Sequence, residues 1–217
     1  MKFPNAAKGI KKLFTAEILE LISVVLFSVG TIMLLVAAGA AKANHTTAAG
    51  VTGLGTLVLM TGAGVLGIIA LIMQIIGYIQ TAKDEDSFKV AIYITIIGIV
   101  MVAVASMFSS NKTLASVSNM VSDLINIIVS VLTIMGIANL AAKLKNNDIV
   151  DKCTNIFKVI IAIGVISLIA KCVSAFWPNQ AGVTIAIVLI VISLVLSIVQ
   201  YIMYIALLNK ASNMLNE

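Results

Sequence analysis

The sequence predicts an all-α polytopic membrane helix bundle, with six transmembrane helices arranged as three parallel helical-hairpin repeats. The first observation behind this prediction is composition. Of the 217 residues, 61% are hydrophobic and 11% are charged, whereas soluble domains average about 45–50% apolar and about 25% charged residues. The second is a set of apolar segments of about 20 residues or more, which are long enough to cross a hydrocarbon core of about 30 Å. The third is a charged joint that occurs twice along the chain.

The two charged joints separate apolar segments, and each begins with Lys and ends in Phe-Lys-Val. The first runs from Lys83 to Val90 and the second from Lys143 to Val159. We predict that both are connectors on one side of the membrane, between units that each cross the bilayer twice. The resulting hairpins, all in one membrane domain, cover residues 21–82, 88–142 and 157–208.

The first helix follows a basic N-terminal segment, residues 1–20, and its apolar span runs from Leu21 to Ala41. In the basic segment, apolar residues occur at helical spacing with Lys on the other side. This pattern predicts a cytoplasmic segment, which is either a short interfacial helix that lies on the inner leaflet and runs into the first span, or topogenic charge alone. Glu17 and Glu20 are interpreted as a solvated boundary near the inner surface rather than a proton relay. The span is too long for a cleaved signal peptide, whose apolar region is roughly 7–15 residues.

The second helix, predicted over 51–80, contains Gly62-Ala-Gly64-Val-Leu-Gly67, which matches the dinucleotide-binding pattern G-x-G-x-x-G. That pattern requires a preceding strand and a soluble βαβ unit. Here the glycines lie within roughly 30 continuous apolar residues of a predicted membrane helix, so we reject nucleotide binding. Small residues such as Ala63 and Gly67 instead predict the close approach of a neighbouring helix.

The remaining helices are predicted over 88–108, 114–142, 157–177 and 181–208. Eleven of the 14 basic residues, all of them Lys, fall on the side that holds both termini and both joints. Only Lys42, Lys112 and Lys171 fall on the other side. The positive-inside rule therefore predicts a multi-pass protein of the cell membrane with both termini in the cytoplasm.

An internal repeat is suggested by aligning residues 88–110 with residues 157–179. The two segments share the Phe-Lys-Val start and an aromatic end, Phe108 in one and Trp177 in the other. Helices 2, 4 and 6 also end alike, at Lys83, Lys143 and Lys210. Either the hairpins are homologous parallel repeats, or each inner boundary acquired Lys and an aromatic anchor independently.

Three polar residues within the spans form the candidate intramembrane site: Gln74, Thr133 and Gln200. Each lies nine or ten residues before the terminal Lys of its helix, which places it roughly 14–15 Å from the inner boundary and near the bilayer midplane. If the hairpins surround a threefold axis, these residues form one polar ring on a transport path. The alternative is interhelical hydrogen bonding, which stabilises many membrane bundles by about 0.6 kcal/mol per contact.

Two ionisable residues, Asp123 and Lys171, fall in the outer part of the predicted bilayer. Charges at such depth are often paired, so an Asp123–Lys171 ion pair linking the second and third hairpins is one hypothesis. In the alternative, Lys171 extends to the outer headgroups and Asp123 lies at the interface.

No set of residues suggests catalysis, a cofactor or a metal site. The chain has a single His, no Cys–His or Ser–His pairing and no paired carboxylates deep in a span. The Lys residues lie in short joints without an aromatic platform, which argues against nucleic-acid binding. We therefore expect a non-enzyme without a cofactor, in contact with the lipid bilayer and with a membrane-protein partner or a second copy of itself.

With the motifs Phe88-Lys-Val90 and Phe157-Lys-Val159 and its Lys-ended hairpins, the chain resembles the small six-span membrane proteins of unassigned function from low-GC bacteria. The resemblance covers the whole length and supplies no active site to transfer. Two functions remain. A structural or partner-binding membrane protein, which the sequence favours, requires a dry interior. A small-molecule or ion transporter or channel, or the substrate-binding subunit of a multi-component importer, requires a water-accessible cavity.

Overall fold

In the computed structural model the described residues are 2–42, 46–107, 112–177 and 180–216; the side chains of residues 40–42, 46–52, 102, 104–107, 112–120, 122, 123, 168, 171, 174–176 and 183 are outside this description. The described chain is helical apart from short connections. The helices are α1 (Pro4–Lys42), α2 (Thr46–Thr81), α3 (Ser87–Met107), α4 (Lys112–Lys143), α5 (Asn147–Phe176) and α6 (Gln180–Asn216).

The length and apolar character of these helices make the chain a multi-pass membrane protein. Within the described residues, four segments are long and apolar enough to cross a bilayer: Pro4–Gly39, Gly53–Thr81, Leu124–Lys143 and Gln180–Asn216. Ser87–Met101 of α3 is a shorter apolar stretch. The described chain contains no β-strand, so the strand that nucleotide binding at Gly62–Gly67 requires is not found there.

The six helices pack as a ring in chain order. The most extensive contacts lie between α1 and α2, between α3 and α4, and between α5 and α6, which pairs the helices in the same way as the three predicted hairpins. Contacts of α2 with α3, of α4 with α5 and of α6 with α1 complete the ring. Helices that are neighbours in the sequence are therefore neighbours in space.

The hydrophobic core lies at one end of this ring, where the first residues of α1, both joints and the last residues of α6 meet. Ala6, Phe88, Leu140, Ile149 and Leu208, from five different helices, are at most 3% exposed and belong to one cluster. Away from this end the helices present large apolar side chains outward, such as Leu35 and Val58. In a membrane protein such side chains face lipid, because lipid tails are as apolar as the side chains themselves.

The N-terminal segment is the first part of α1, which is continuous from Pro4 through the first span. Its first turns pack against the end of α2, where Gly9 and Gly77 have no side chains to hold the helices apart. The Ala6 backbone N–H also donates to the Asp84 carboxylate over 2.7 Å. This carboxylate satisfies one of the free N–H groups at the helix start and complements the positive end of the helix dipole.

The second joint differs from the prediction, because most of it is helical and α5 starts at Asn147 rather than Phe157. Ile149, Cys153 and Ile156, spaced four and three residues apart, are buried on one face of its first turns. The Asn146 side chain accepts a hydrogen bond from the Ile149 N–H over 3.2 Å and caps the helix. The charged residues that suggested a connector thus form the solvent-facing side of the first turns of α5, which are amphipathic.

Candidate functional site

A cavity of about 680 Å³ lies inside the helix ring, directly beyond the packed core. Described side chains of α1, α2, α3, α4 and α6 line it, and none of the described lining residues comes from α5. The volume falls within the range of about 300–1,000 Å³ that is typical of small-molecule sites. The cavity is therefore large enough to hold a small organic ligand.

The floor of the cavity consists of residues that also belong to the packed core, Tyr78, Val129 and Tyr204. Tyr78 and Tyr204 are 1% and 4% exposed. The Tyr78 and Thr133 hydroxyls lie 3.1 Å apart, within hydrogen-bond distance. The Val129 carbonyl oxygen, 2.8 Å from the Thr133 hydroxyl, competes for the single Thr133 proton, so the Tyr78 hydroxyl can either donate to Thr133 or accept from it.

Two of the three residues predicted as a polar ring share this cavity. Gln74 on α2 and Gln200 on α6 both line it. Gln74 lies beside the Tyr78 hydroxyl, one helical turn away. Gln200 has no hydrogen-bond partner among the residues whose side chains are described. The two carboxamides thus reach one space from different hairpins.

Thr133, the third residue of the predicted ring, lies below the cavity rather than in its wall. Its side chain is fully buried, and its hydroxyl lies 2.8 Å from the Val129 carbonyl oxygen and 3.1 Å from the Tyr78 hydroxyl. Thr133 therefore supports the floor through Tyr78, which is the interhelical hydrogen-bonding role considered as the alternative.

Glu17 is a buried carboxylate in the wall of the cavity, which contradicts its interpretation as a solvated boundary. Its side chain is 6% exposed, whereas Glu20, one turn further on, is exposed and also lines the cavity. The cause is the packing of α1 on α2: Leu13 contacts Gly77 and Ser23 contacts Gly67. In this antiparallel register Glu17 faces the turn of α2 that contains Gln74.

The α6 helix covers Glu17 from the other side through Tyr201. The Tyr201 hydroxyl donates a hydrogen bond of 3.1 Å to the Glu17 backbone carbonyl, and it also lies close to the Glu17 carboxyl group. None of the ion pairs of the described residues involves Glu17. The Glu17 carboxyl group is consequently buried without a cation from any residue whose side chain is described.

Two predicted groups remain untested by this geometry. Asp123 lies on α4 and Lys171 on α5, but both side chains are outside the described residues, and their ion pair stays a prediction. Groups of three or more His, Cys, Asp or Glu that could hold a metal ion do not occur in the described part of the chain.

Comparison of the chain with protein-family models, with curated proteins and with solved structures finds no match. The function must therefore be inferred from the cavity. The described residues of its wall combine two carboxylates, three carboxamides, three tyrosines and smaller polar groups, and no Lys or His is among them. Such a surface can bind a small polar molecule and, by charge, favours a cation over an anion.

Among the residues that sequence reasoning did not place in a site are Glu17, Tyr78, Tyr201 and Tyr204. Two of the tyrosines carried a usable signal, because Tyr78 and Tyr204 lie four residues after Gln74 and Gln200. Residues four apart lie on the same helix face. The burial of Glu17 carried no such signal, because it depends on how α1 packs against two other helices.

Proposed function

We propose that this protein is a membrane transporter that binds a small polar solute in the cavity between α1, α2, α3, α4 and α6. The observation that carries the proposal is the convergence of Gln74, Gln200 and buried Glu17 on a cavity of about 680 Å³. Side chains with unused hydrogen-bonding capacity are expensive inside a membrane protein unless a ligand or water satisfies them. A dry, purely structural interior does not account for them.

The packed core lies beneath the cavity and supports a conformation of the transporter in which the cavity is closed at that end. We infer that this end faces the cytoplasm, because it carries both termini, both joints and most of the Lys residues. Opening the cavity to the cytoplasm requires separation of the residues that form its floor, among them Tyr78 and Tyr204. A transporter needs such a rearrangement, since its site must be exposed to one side of the membrane at a time.

The proposal includes six membrane crossings in three parallel hairpins. The support comes from helix length and order: α3 has 21 residues and α5 has 30, which correspond to about 32 Å and 45 Å of helix. Both lengths match or exceed the hydrocarbon thickness of about 30 Å. The ring of contacts in chain order is the arrangement expected when every helix returns across the membrane.

The second candidate is a structural or partner-binding protein, and the environment of Thr133 favours it. This residue is fully buried and bonded within the bundle, as a dry interior requires. Transport and scaffolding differ in one property, which is whether water reaches Gln200.

Cysteine labelling tests this difference. In a Cys172→Ser background, where the remaining Cys153 is buried, we expect Gln200→Cys to react with a hydrophilic methanethiosulfonate reagent. Ile202→Cys is the matched control, because Ile202 is 61% exposed on the outer surface of the same helix and faces lipid, where a thiolate does not form. Right-side-out and inside-out vesicles show which membrane face gives access.

The three outcomes have different meanings. Reaction of Gln200→Cys from both faces supports transport. Reaction from one face alone shows a binding cavity without a path through the membrane and overturns transport. If Gln200→Cys reacts no faster than Ile202→Cys from either face, the interior is dry and the structural candidate replaces the proposed function.

A further inference from the structure

Resting on the proposed binding of a small solute in the cavity, we propose that the solute is an organic cation whose ammonium group is held by Glu17 among the cavity tyrosines. The inference concerns the chemical class of the ligand, which the proposed function leaves open. It rests on the charge of the cavity wall, on the burial of one carboxylate and on the aromatic surroundings.

The charge of the wall contrasts with that of the whole chain. The protein has a formal net charge of +5, yet among the described residues that line the cavity the ionisable ones, apart from tyrosines, are the two carboxylates Glu17 and Glu20. An anionic ligand would meet these carboxylates without a Lys from the described part of the wall to neutralise it. A cationic ligand instead meets complementary charge.

The burial of Glu17 favours a direct ion pair with a cationic ligand, in addition to long-range electrostatic attraction. Its side chain is 6% exposed, and the ion pairs of the described residues leave it without a Lys partner. Ionising a buried carboxyl group without a counter-ion costs several kcal/mol, because the charge loses hydration and gains no ion pair, and the group is otherwise protonated. An ammonium group on the ligand supplies the missing partner and keeps Glu17 ionised at a position where the described residues supply no cation.

The tyrosines distinguish an organic cation from a metal ion. Tyr78, Tyr201 and Tyr204 line the same cavity as Glu17, and aromatic faces attract ammonium groups through cation–π interactions. Calcium requires six to eight oxygen ligands and magnesium a compact octahedron, whereas this cavity of about 680 Å³ is far larger than either ion. Its size suits a ligand with a carbon skeleton.

Neutral polar residues extend the site beyond the ammonium position. Gln200 on α6 and Asn126 and Ser130 on α4 line the cavity. Their carboxamides and hydroxyl can donate and accept hydrogen bonds to a ligand hydroxyl or carbonyl. The geometry therefore fits an ammonium head with a short polar tail.

The test compares choline with 3,3-dimethyl-1-butanol, a neutral molecule of nearly the same shape in which carbon replaces the charged nitrogen. Binding of choline, tetraethylammonium, butylammonium and the neutral alcohol to the full chain in nanodiscs is measured directly for each ligand by titration calorimetry, with empty nanodiscs as the background. We expect at least one of the three cations to bind at least about 30-fold more tightly than the neutral alcohol, as is typical when a buried carboxylate gains a charged partner.

Glu17→Gln is the variant that assigns the charge preference to one residue. This substitution removes the charge and keeps the shape of the side chain. We therefore expect the variant to lose most of its preference for cations and to retain its affinity for the neutral alcohol. Asp151→Asn is the matched control, because Asp151 is an exposed carboxylate on α5 outside the cavity, and its preference should remain that of the wild type. Glu17→Asp retains the charge and provides a second variant if Glu17→Gln fails to fold, and it should keep the preference.

The outcomes separate this inference from the function on which it rests. If no cation is preferred over the neutral alcohol, or if Glu17→Gln keeps the full preference, the inference is wrong. Gln200→Cys labelling from both membrane faces would still support transport in that case. If Gln200→Cys is inaccessible to water, the proposed function itself fails, whatever binds to the nanodiscs.

Discussion

Individual glycines determine how closely α1 approaches α2. A Cβ atom added at Gly9 would lie 2.6 Å from the Gly77 carbonyl oxygen and 2.8 Å from the Thr81 nitrogen. Both are backbone atoms, so the helices must separate to accommodate it. We expect Gly9→Ala to destabilise the protein by about 1–3 kcal/mol, measured by thermal unfolding in detergent.

Gly64 provides the matched control for this prediction. It also lies within a helix, but a Cβ added there meets no atom within 4 Å. Gly64→Ala should therefore be neutral or stabilising by up to about 1 kcal/mol, because Ala has the higher helix propensity. Equal unfolding temperatures for Gly9→Ala and the wild type would contradict the α1–α2 packing that places Glu17 in the cavity wall.

The residues of the cavity differ in how far sequence alone could predict their place. Gln74 and Gln200 were placed by counting residues back from a terminal Lys, and both line the cavity, because helical rise converts sequence distance into depth. Depth alone does not specify which way a side chain points. Thr133 lies at a similar number of residues before its terminal Lys, yet its side chain is under the cavity floor. The burial of Glu17 depends on tertiary contacts with α2 and α6, which no local pattern contains.

At the scale of helices, the turn between α4 and α5 determines where α5 begins. Lys145 in this turn has a φ of 58°, a left-handed conformation that costs a side chain-bearing residue about 1–2 kcal/mol and glycine much less. The following N–H, that of Asn146, donates to the Ala141 carbonyl over 2.9 Å and closes the end of α4. The turn thus ends one helix and caps the next within three residues.

We expect Lys145→Gly to stabilise the protein by about 1 kcal/mol, because glycine adopts this conformation without a steric penalty. Lys145→Ala removes the same charge and keeps the penalty, so its unfolding temperature should stay close to that of the wild type. A gain of equal size in both variants would attribute the effect to charge and contradict the conformational explanation. Thermal unfolding in detergent is again the measurement.

Two helices extend further than the sequence prediction, for the same physical reason. The prediction ended each span where charge density rose, but α5 begins ten residues before Phe157 and α6 continues past Lys210 to Asn216. In both extensions apolar residues recur at helical spacing, such as Ile149 and Cys153 in α5 and Ala211 and Leu215 in α6, and all four are buried. Hydropathy finds the part of a helix within the bilayer and overlooks an amphipathic extension that packs beyond it.

Across the whole molecule, packing is concentrated at one end of the ring, where polar groups also tie the hairpins together. Glu85, in the connection between α2 and α3, binds Lys143 at the end of α4 over 2.6 Å. Its other oxygen accepts hydrogen bonds from Asn139 over 2.9 Å and from Ser87 over 3.2 Å. This carboxylate joins the first two hairpins directly below the closed floor of the cavity.

The protonation of Glu85 should therefore change the stability of the whole bundle. Burial alone would raise the pKa of the Glu85 carboxyl, but hydrogen bonds from Lys143 and Asn139 outweigh it and hold the pKa below its ordinary value of 4.5. A carboxyl whose pKa is lower in the folded state stabilises that state above its unfolded-state pKa. The stabilisation is lost as the pH falls from 4.5 through the folded-state pKa.

We expect Glu85→Gln to lower stability at pH 7 by about 1–2 kcal/mol, because the amide loses a charge-assisted hydrogen bond to Lys143. Wild-type unfolding temperatures should decrease below pH 4.5 more steeply than those of Glu85→Gln, so that the two curves converge in acid. Asp86→Asn is the control, since the side chains of Asp86 and its partner Lys89 are 87% and 57% exposed and such pairs stabilise proteins little. Parallel curves for wild type and Glu85→Gln between pH 7 and pH 3 would show that Glu85 does not link the hairpins through its charge.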